Sequence, residues 1–376
     1  MKILFLTRRF YPEIGGVEKH VYEVSRELIK RGNEVTILTE VPSATKVKSN
    51  NNYHLTDLSD IYGINSKEPV KSVQNDIFKT GKIHIVRLNF GNQDWFQKFR
   101  VWATMFTQSA AIREADVIHC HDVFFWYFPF RFLYPRKKVY TTFHGYETKF
   151  PPTIKAKLVR KISEKLSYGN ICIGDFIKKW YGTKPDFVTY GGINIKEIRS
   201  SKFEIRNKFK IKNSKLKILL IGRLEEDNGV RIYLEALELL KKRGISYRLT
   251  VCGDGQFRKR LEKYGDVIGF TPDLNKYIDR ADFIFASSYL SIFEALFRGK
   301  NVFSVYQNEL KEDYLKLSPF KQFIMISGDS EALFDQLSSV VSIKTGSHKR
   351  VKNAQMWAKK QTWSRVTDIY LKLWKK

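Results

Sequence analysis

Within its first 32 residues the chain couples a buried strand, a glycine pair and an amphipathic helix, and this unit constrains the fold more than any other feature. KILFLT reads as a parallel strand, and from Val17 the apolar positions Val17, Val21, Val24, Leu28 and Ile29 recur at helical spacing until Gly32 stops the helix. Gly15 and Gly16 therefore fall where the helix begins. Without a Cβ the backbone there can come close to a ligand, and free helix-start amides together with the dipole favour an anion. The pattern is neither GxGxxG nor a Walker loop, since no GK[ST] follows, so it speaks for phosphate in general and against a dinucleotide or ATP loop. A tight strand-to-helix turn without a ligand is the plain alternative.

The same alternation continues along the chain. KILFLT, EVTILT, KIHIVRL, DVIHCH, KVYTTFH and NICIG in the first half, then KILLIG, YRLTVCG, DFIFA and NVFSV in the second, are strand-like segments between helical ones. That order predicts an α/β architecture of two doubly wound parallel-sheet domains. A length of 376 residues with 43% hydrophobic content suits two cores and exceeds one. The composition shift around TYGGINIKEIRSSKFEIRNKFKIKNS places the linker at residues 191–214, after a first domain of 1–190. Residues 42–80, poor in apolar periodicity and rich in Asn, Ser and Lys, read as a long excursion.

Charge bounds the partners. Lys and Arg number 66 against 39 Asp and Glu, and the net +27 is spread over both halves, which suits an anionic surface or substrate better than a dedicated nucleic-acid arm. Cys120, Cys172 and Cys252 are far apart and lack CxxC or CxxH spacing, so neither a disulfide framework nor a zinc site is indicated, and a reducing cytoplasm is expected. The apolar stretch between Lys2 and Arg8 is too short for a signal-peptide core. The longest apolar run, VFFWYFPFRFLY, is broken by Pro129 and Arg131 and falls short of the roughly 20 residues of a bilayer span. Any membrane contact is expected along a surface.

Six motifs in order, FYPEIGGVEKHVYEVSRELIKRGNEVTILT, DVIHCHD, TTFHGYE, IGRLEEDNGVRIYLEAL, VCGDGQFRKRL and SIFEALFRGKNVFSV, resemble the retaining GT-B glycosyltransferases of glycosyltransferase family 4. The resemblance covers nearly the whole chain. It implies two Rossmann-like domains facing across a cleft, the acceptor bound mainly by the first and a nucleotide-diphosphate sugar mainly by the second, at residues 215–355. QTWSRVTDIYLKLWK is similar to the family's Trp-containing helix that crosses back to the first domain, within residues 356–376. No cofactor is implied beyond the sugar-nucleotide substrate.

Carried over position by position, the resemblance implies catalytic roles for His144 of TTFHGYE, at the donor sugar, and Arg223 of IGRLEE, whose planar fork suits the leaving diphosphate. Implied donor contacts are Gly15, Gly16, Gly222, Asn228, Ser288, Tyr289 and Leu290, with Glu294 on the ribose hydroxyls. Ser287 or Ser288 reads as the N-cap of the helix carrying Glu294. Tyr11, His121 and Glu147 are candidate acceptor contacts. His20 reads as structural, and His119, Cys120 and His121 as a strand terminus more than a metal site, because no further ligands stand at metal spacing.

Two departures from the family pattern stand out. Many members carry a Lys five residues after the Arg of GRL, where this chain has Asn228, and of the usual glutamate pair eight apart the first position is Ala286. One cation of the diphosphate clamp and the glutamate for the donor sugar are missing. Arg231, or Arg8 and Arg9, are the candidates to restore the charge. No DxD is present, so transfer without a metal is expected, and the resemblance implies retention with no protein nucleophile.

A membrane-associated lipid or glycan is the expected acceptor. TIKAKLVRKISEKL puts Ile154, Leu158, Ile162 and Leu166 on one stripe amid Lys155, Lys157, Arg160, Lys161 and Lys165, and FFWYFPFRFLYPRKK adds aromatics and a basic cluster suited to anionic lipid. A core-facing helix is the alternative. The stripe Trp95, Phe99, Trp102 and Phe106 is read as core. Two rival functions stay open: the same chemistry on nucleic acid or protein, motivated by +27 and separable by salt dependence, and a non-catalytic sugar-nucleotide or membrane-binding relative, motivated by Asn228 and Ala286.

Overall fold

The computed structural model describes residues 1–42, 76–77, 83–91, 94–145, 150–195, 215–271, 273–342 and 347–376. KILFLT forms β1 (Lys2–Thr7), buried along its whole length after Lys2, as a central strand covered on both faces must be. The first domain continues with α1 (Gly16–Lys30), β2 (Glu34–Glu40), β3 (Asp76–Ile77), β4 (Ile83–Leu88), α2 (Gln97–Thr107), α3 (Ser109–Glu114) and β5 (Val117–His121). It is completed by α4 (Phe124–Leu133), β6 (Val139–Phe143), α5 (Ile154–Leu166), β7 (Gly169–Ile173), α6 (Phe176–Tyr181) and β8 (Phe187–Thr189). Its sheet runs β3-β4-β2-β1-β5-β6-β7-β8, with only the edge strand β3 antiparallel. Val21, Val24 and Leu28 of α1 are buried, and Gly32, at φ +79°, ends the helix by donating its N–H to the Ile29 carbonyl at 2.9 Å.

The second domain comprises β9 (Leu216–Ile221), α7 (Val230–Lys242), β10 (Tyr247–Cys252), α8 (Arg258–Leu261), β11 (Gly265–Val267), α9 (Leu274–Arg280) and β12 (Phe283–Ala286). After these come α10 (Tyr289–Phe297), β13 (Asn301–Val305), α11 (Glu309–Lys316), β14 (Met325–Ser327), α12 (Ser330–Ser342) and α13 (Ser347–Ala358). Its sheet is parallel, in the order β11-β10-β9-β12-β13-β14. Strand order reverses at β1/β5 in one domain and at β9/β12 in the other, and ligand crevices of open parallel sheets lie beyond such strand ends.

The chain crosses between the domains twice, and the two crossings touch. Ile193 pairs with Thr362 as an isolated parallel bridge, with its N–H on the Gln361 carbonyl at 2.9 Å. A Cβ on Gly192 would stand 2.6 Å from the Trp363 backbone nitrogen, so only glycine fits there. The last helix, α14 (Trp363–Trp374), then packs on α1 and the first sheet. Tyr370 and Trp374 are buried, and Arg31 of the loop after α1 reaches Asp368 at 2.6 Å.

Two readings are corrected here. On α2 the buried residues are Val101 and Met105, while Trp95 (74% exposed), Phe99 and Phe106 face solvent and Trp102 is half-buried against Phe125. That stripe is not core. On α5 the inward positions are Ala156, Arg160 and Ser163, spaced one helical turn apart, and Ile154 (87% exposed), Leu158, Val159 and Ile162 point out. The core-facing reading of α5 therefore fails. The apolar run at Val123, short of a bilayer span as expected, forms the ten-residue helix α4 through Pro129, burying Phe124, Trp126, Tyr127 and Phe130 and leaving Phe132 and Leu133 exposed. All three cysteines are buried free thiols, and no described helix is long and apolar enough to cross a membrane.

Candidate active site

From the first domain, the α1 start and the strand ends β5 and β6 reach the cleft. Gly15 is the N-cap of α1 in extended conformation and makes no side-chain cap. A Cβ on Gly16 would meet nothing within 4 Å, whereas one on Gly15 would meet the Glu18 carboxylate at 2.3 Å. The helix start thus already holds an anion, because Glu18 folds back over its own first turn. Burial raises the Glu18 pKa above the usual carboxylate range, against the opposing pull of its own backbone N–H and of Arg9 and Arg223. Arg223 comes from the other domain.

Behind the cleft four histidines form one cluster with α14. Trp374 Nε1 can only donate, so His119 Nδ1 accepts at 3.1 Å and its Nε2–H points to Thr142 Oγ1 at 2.7 Å. Thr142 Oγ1 lies 2.9 Å from the Tyr370 hydroxyl, which in turn lies 2.9 Å from His20 Nε2. His121 Nδ1 and His144 Nε2 are 2.8 Å apart, and His121 Nε2 has no partner. A buried orphan N–H is rarer than an orphan acceptor, so the favoured arrangement has His121 donate from Nδ1 and leaves the His144 proton on Nδ1. Burial, reinforced by neighbouring His20, His119 and Arg160, lowers the His144 pKa well below the usual range. His144 is thus a neutral hydrogen-bonding group. Its backbone N–H is held by the Asp122 carboxylate at 3.1 Å, with Asp122 itself at φ +60°.

Below this turn lies Arg160. It donates to the Gly145 carbonyl at 2.9 Å and lies over the rings of Phe143 and Tyr181 at 4.8 and 4.2 Å. The sequence pattern suggests a solvated cation for Arg160, yet α5 turns it inward as a brace for the His144–Gly145 turn.

In the second domain, Arg223 follows β9 and the positive-φ Gly222, whose carbonyl would stand 1.8 Å from a Cβ on Gly253, so this close approach requires the glycine of VCGDG. Arg223 is half-exposed and donates to Asp227 at 2.9 Å. Asn228 Nδ2 donates to the Arg223 carbonyl at 2.8 Å and so pins the loop. The candidates for the missing cation are otherwise engaged: Arg231 forks onto Glu226 at 3.0 Å, Arg8 lies 3.3 Å from Glu40, and Arg9 lies 3.9 Å from Glu13.

Ser288 stands at the N-cap of α10, although its hydroxyl meets Ser291 Oγ at 3.1 Å and not a helix amide, and Ser287 bonds inward to Tyr233. The Tyr289 N–H donates to the Tyr314 hydroxyl at 3.1 Å, and the two rings stack at 3.8 Å. Leu290 presses on the linker at Gly191. Glu294, on the same helix, is paired across the cleft with Lys19 of α1.

The expected acceptor contacts fare differently from the donor set. Tyr11 (4% exposed) packs among Phe10 and Tyr22, and His121 (1% exposed) lies behind His144, so neither side chain reaches the cleft surface. Glu147 lies outside the described residues. His20 is buried as expected, though within the histidine cluster. Among described residues no group of three or more His, Cys, Asp or Glu could hold a metal. Glu18, Lys19, Lys311 and Tyr314 are site residues that the sequence pattern did not single out; the first pair looked like an ordinary helix face, and the second falls in a segment without a motif.

Two doubly wound domains whose strand-reversal ends meet across one cleft are the plan of the GT-B class, and here Arg223 of one domain acts on Glu18 at the α1 start of the other. The family described as Glycosyltransferase Family 4 matches residues 14–185 and that described as Glycosyl transferases group 1 matches residues 201–357. Together these span most of the chain, which belongs to the GT-B glycosyltransferases of family 4 type. Similar solved structures include a glycosyltransferase from Rickettsia africae ESF-5, 15% identical with TM-score 0.68, covering 100% of this chain and 97% of that one. A sucrose-phosphate synthase from Thermosynechococcus elongatus is 14% identical with TM-score 0.70, over 100% and 98% of the two chains. Anabaena Alr3699/HepE, solved in complex with UDP and glucose, is 14% identical with TM-score 0.68, over 99% and 98%. At such identities the likeness speaks for the fold. No curated protein matches the sequence.

Proposed function

We propose that this glycosyltransferase moves a sugar, with retention, from a nucleotide-diphosphate donor to a lipid-linked or glycan acceptor at an anionic membrane surface. The observation that carries the donor half is the convergence of Arg223, the α10 start and Glu294 on α1 of the opposite domain, marked by the Lys19–Glu294 contact. Arg223 and the helix-start amides would stabilise charge on the leaving diphosphate, so transfer is expected to proceed in EDTA. His144, kept neutral, would hydrogen-bond the donor sugar. With no protein nucleophile, the acceptor would attack the face from which the leaving group departs and pass its proton to the donor phosphate.

For the acceptor half, the support is the row of adjacent helices α2, α4 and α5. They and the turn leading into α2 expose Trp95, Phe96, Phe99, Phe132, Leu133, Ile154, Leu158 and Ile162, interleaved on α5 with Lys155, Lys157 and Lys165. Apolar side chains amid lysines suit the interface of an anionic bilayer, where each nearby cation adds about 1 kcal/mol. Nucleic acid offers no apolar phase for such side chains.

A thermal-shift panel of nucleotide-diphosphate sugars tests the donor half, since a ligand at 100 times its Kd stabilises by about 2.7 kcal/mol. The donor so found is expected to support transfer in the parent protein, while Arg223→Ala loses about 3 kcal/mol of transition-state stabilisation, a hundredfold or more in rate, with an unchanged melting temperature. Unchanged turnover in that variant removes the clamp assignment.

A further inference from the structure

We propose that Lys311 is the second cation of the diphosphate site, standing in from α11 for the lysine that Asn228 replaces; the inference rests on the donor reading above. The β9 loop and the turn before α11 are in contact, because a Cβ on Gly229 would stand 2.4 Å from Val305 Cγ2 at the end of β13. Asn308 caps α11 by accepting the Lys311 N–H at 2.9 Å, which sets Lys311 in the first turn of that helix, beside the loop. Its Nζ lies 5.1 Å from the centroid of the Tyr314 ring, and the Tyr314 hydroxyl holds the first N–H of α10. Lys311, Tyr314 and the α10 start are therefore contiguous.

Burial lowers the Lys311 pKa to about 8, and among nearby charges Asp227 favours its ammonium while Arg223 opposes it. Tyr314 faces it from its own helix, and Asp313 of that helix is turned the other way, to Lys179 and Trp180 of the first domain. Asp227 thus pairs with Arg223 at 2.9 Å and also draws on the charge of Lys311. A diphosphate carries enough charge for both, and two cations on adjacent elements match its two phosphate groups. Asn228, spent on the Arg223 carbonyl, keeps the loop in the form that lets Lys311 serve.

Calorimetric titration of the whole protein with inorganic pyrophosphate and with UDP, GDP, ADP and CDP tests this. Lys311→Gln is expected to weaken pyrophosphate and the bound nucleotide at least tenfold, Lys311→Arg to stay within threefold of the parent, and Lys263→Gln, an exposed charge control in the same domain, to change nothing. Parent affinity for the nucleotide should fall between pH 7 and 9.5 as Lys311 deprotonates, and Lys311→Arg should lose that fall. If Lys311→Gln folds poorly, the arginine variant and its flat pH profile decide. Parent-like affinity of folded Lys311→Gln, with binding lost in Arg223→Ala, overturns the role of Lys311 and leaves the donor reading intact. A parent protein that binds none of the probes overturns both.

Discussion

Single side chains behind the cleft are governed by burial, and the four histidines make the sign of the effect plain. Desolvation pushes His20 down to about 3 from its usual 6.5, and His119, His121 and His144 also fall well below that value. Between those folded values and 6.5 the unfolded chain binds more protons than the folded one, so stability rises with pH. The contribution is complete above about pH 6.5 and is lost, at roughly 1.4 kcal/mol per pH unit for each histidine, as the pH falls toward the folded values. Scanning calorimetry should therefore find a melting temperature that drops steeply from pH 7 to pH 5. A level profile over that range would show that the cluster is protonated in the folded protein. At the same scale Asn228 and Glu18 teach the limit of motif reading: one looked like a lost cation and pins a loop, the other belongs to no motif role and folds its carboxylate over the α1 start.

Among the elements, α5 carries its apolar stripe outward and its arginine inward. Glutamate at Leu158 and Ile162 together should leave stability within about 0.5 kcal/mol, since both side chains are exposed. Co-sedimentation with vesicles containing phosphatidylglycerol should nevertheless fall at least tenfold; undiminished binding would remove the membrane reading of this face. The sequence could not distinguish the two faces of α5, because a helical stripe reports its spacing and not what lies opposite, and Arg160 turns inward where Phe143 and Tyr181 offer it ring faces and Gly145 a carbonyl. Strands were legible in a telling way. The ten apolar runs all became strands, whereas β3, β8, β11 and β14 have no counterpart among those runs, and these four are the edges of the two sheets. Central strands covered on both faces must be continuously apolar, while an edge of two or three residues leaves no pattern to read. The α1 unit was legible for the same reason: its buried stripe and Gly32 are local, but Glu294, the partner of Lys19, lies 275 positions away in the other domain, and Asp227 and Arg223, which act on Lys311, stand on a different loop of its domain.

For the whole molecule, the twin crossing at Ile193 and Thr362 places α14 inside the first domain. Phe5, His119 and Tyr140 are roofed by Tyr370 and Trp374, with the Tyr140 hydroxyl on the Trp374 carbonyl at 3.3 Å. A protein truncated before Trp363 should lose cooperative melting of the first domain first, and a synthetic peptide of residues 361–376 added in trans should restore it; unimpaired melting of the truncated form would make α14 dispensable. The covering also has a consequence for how the protein is made. A ribosome delivers the first sheet early, but the helix that closes it emerges only after the entire second domain has been translated. The half of the molecule begun first is finished last, and throughout that interval Phe5 and its neighbours stand open to whatever chaperone or stray partner the cell supplies.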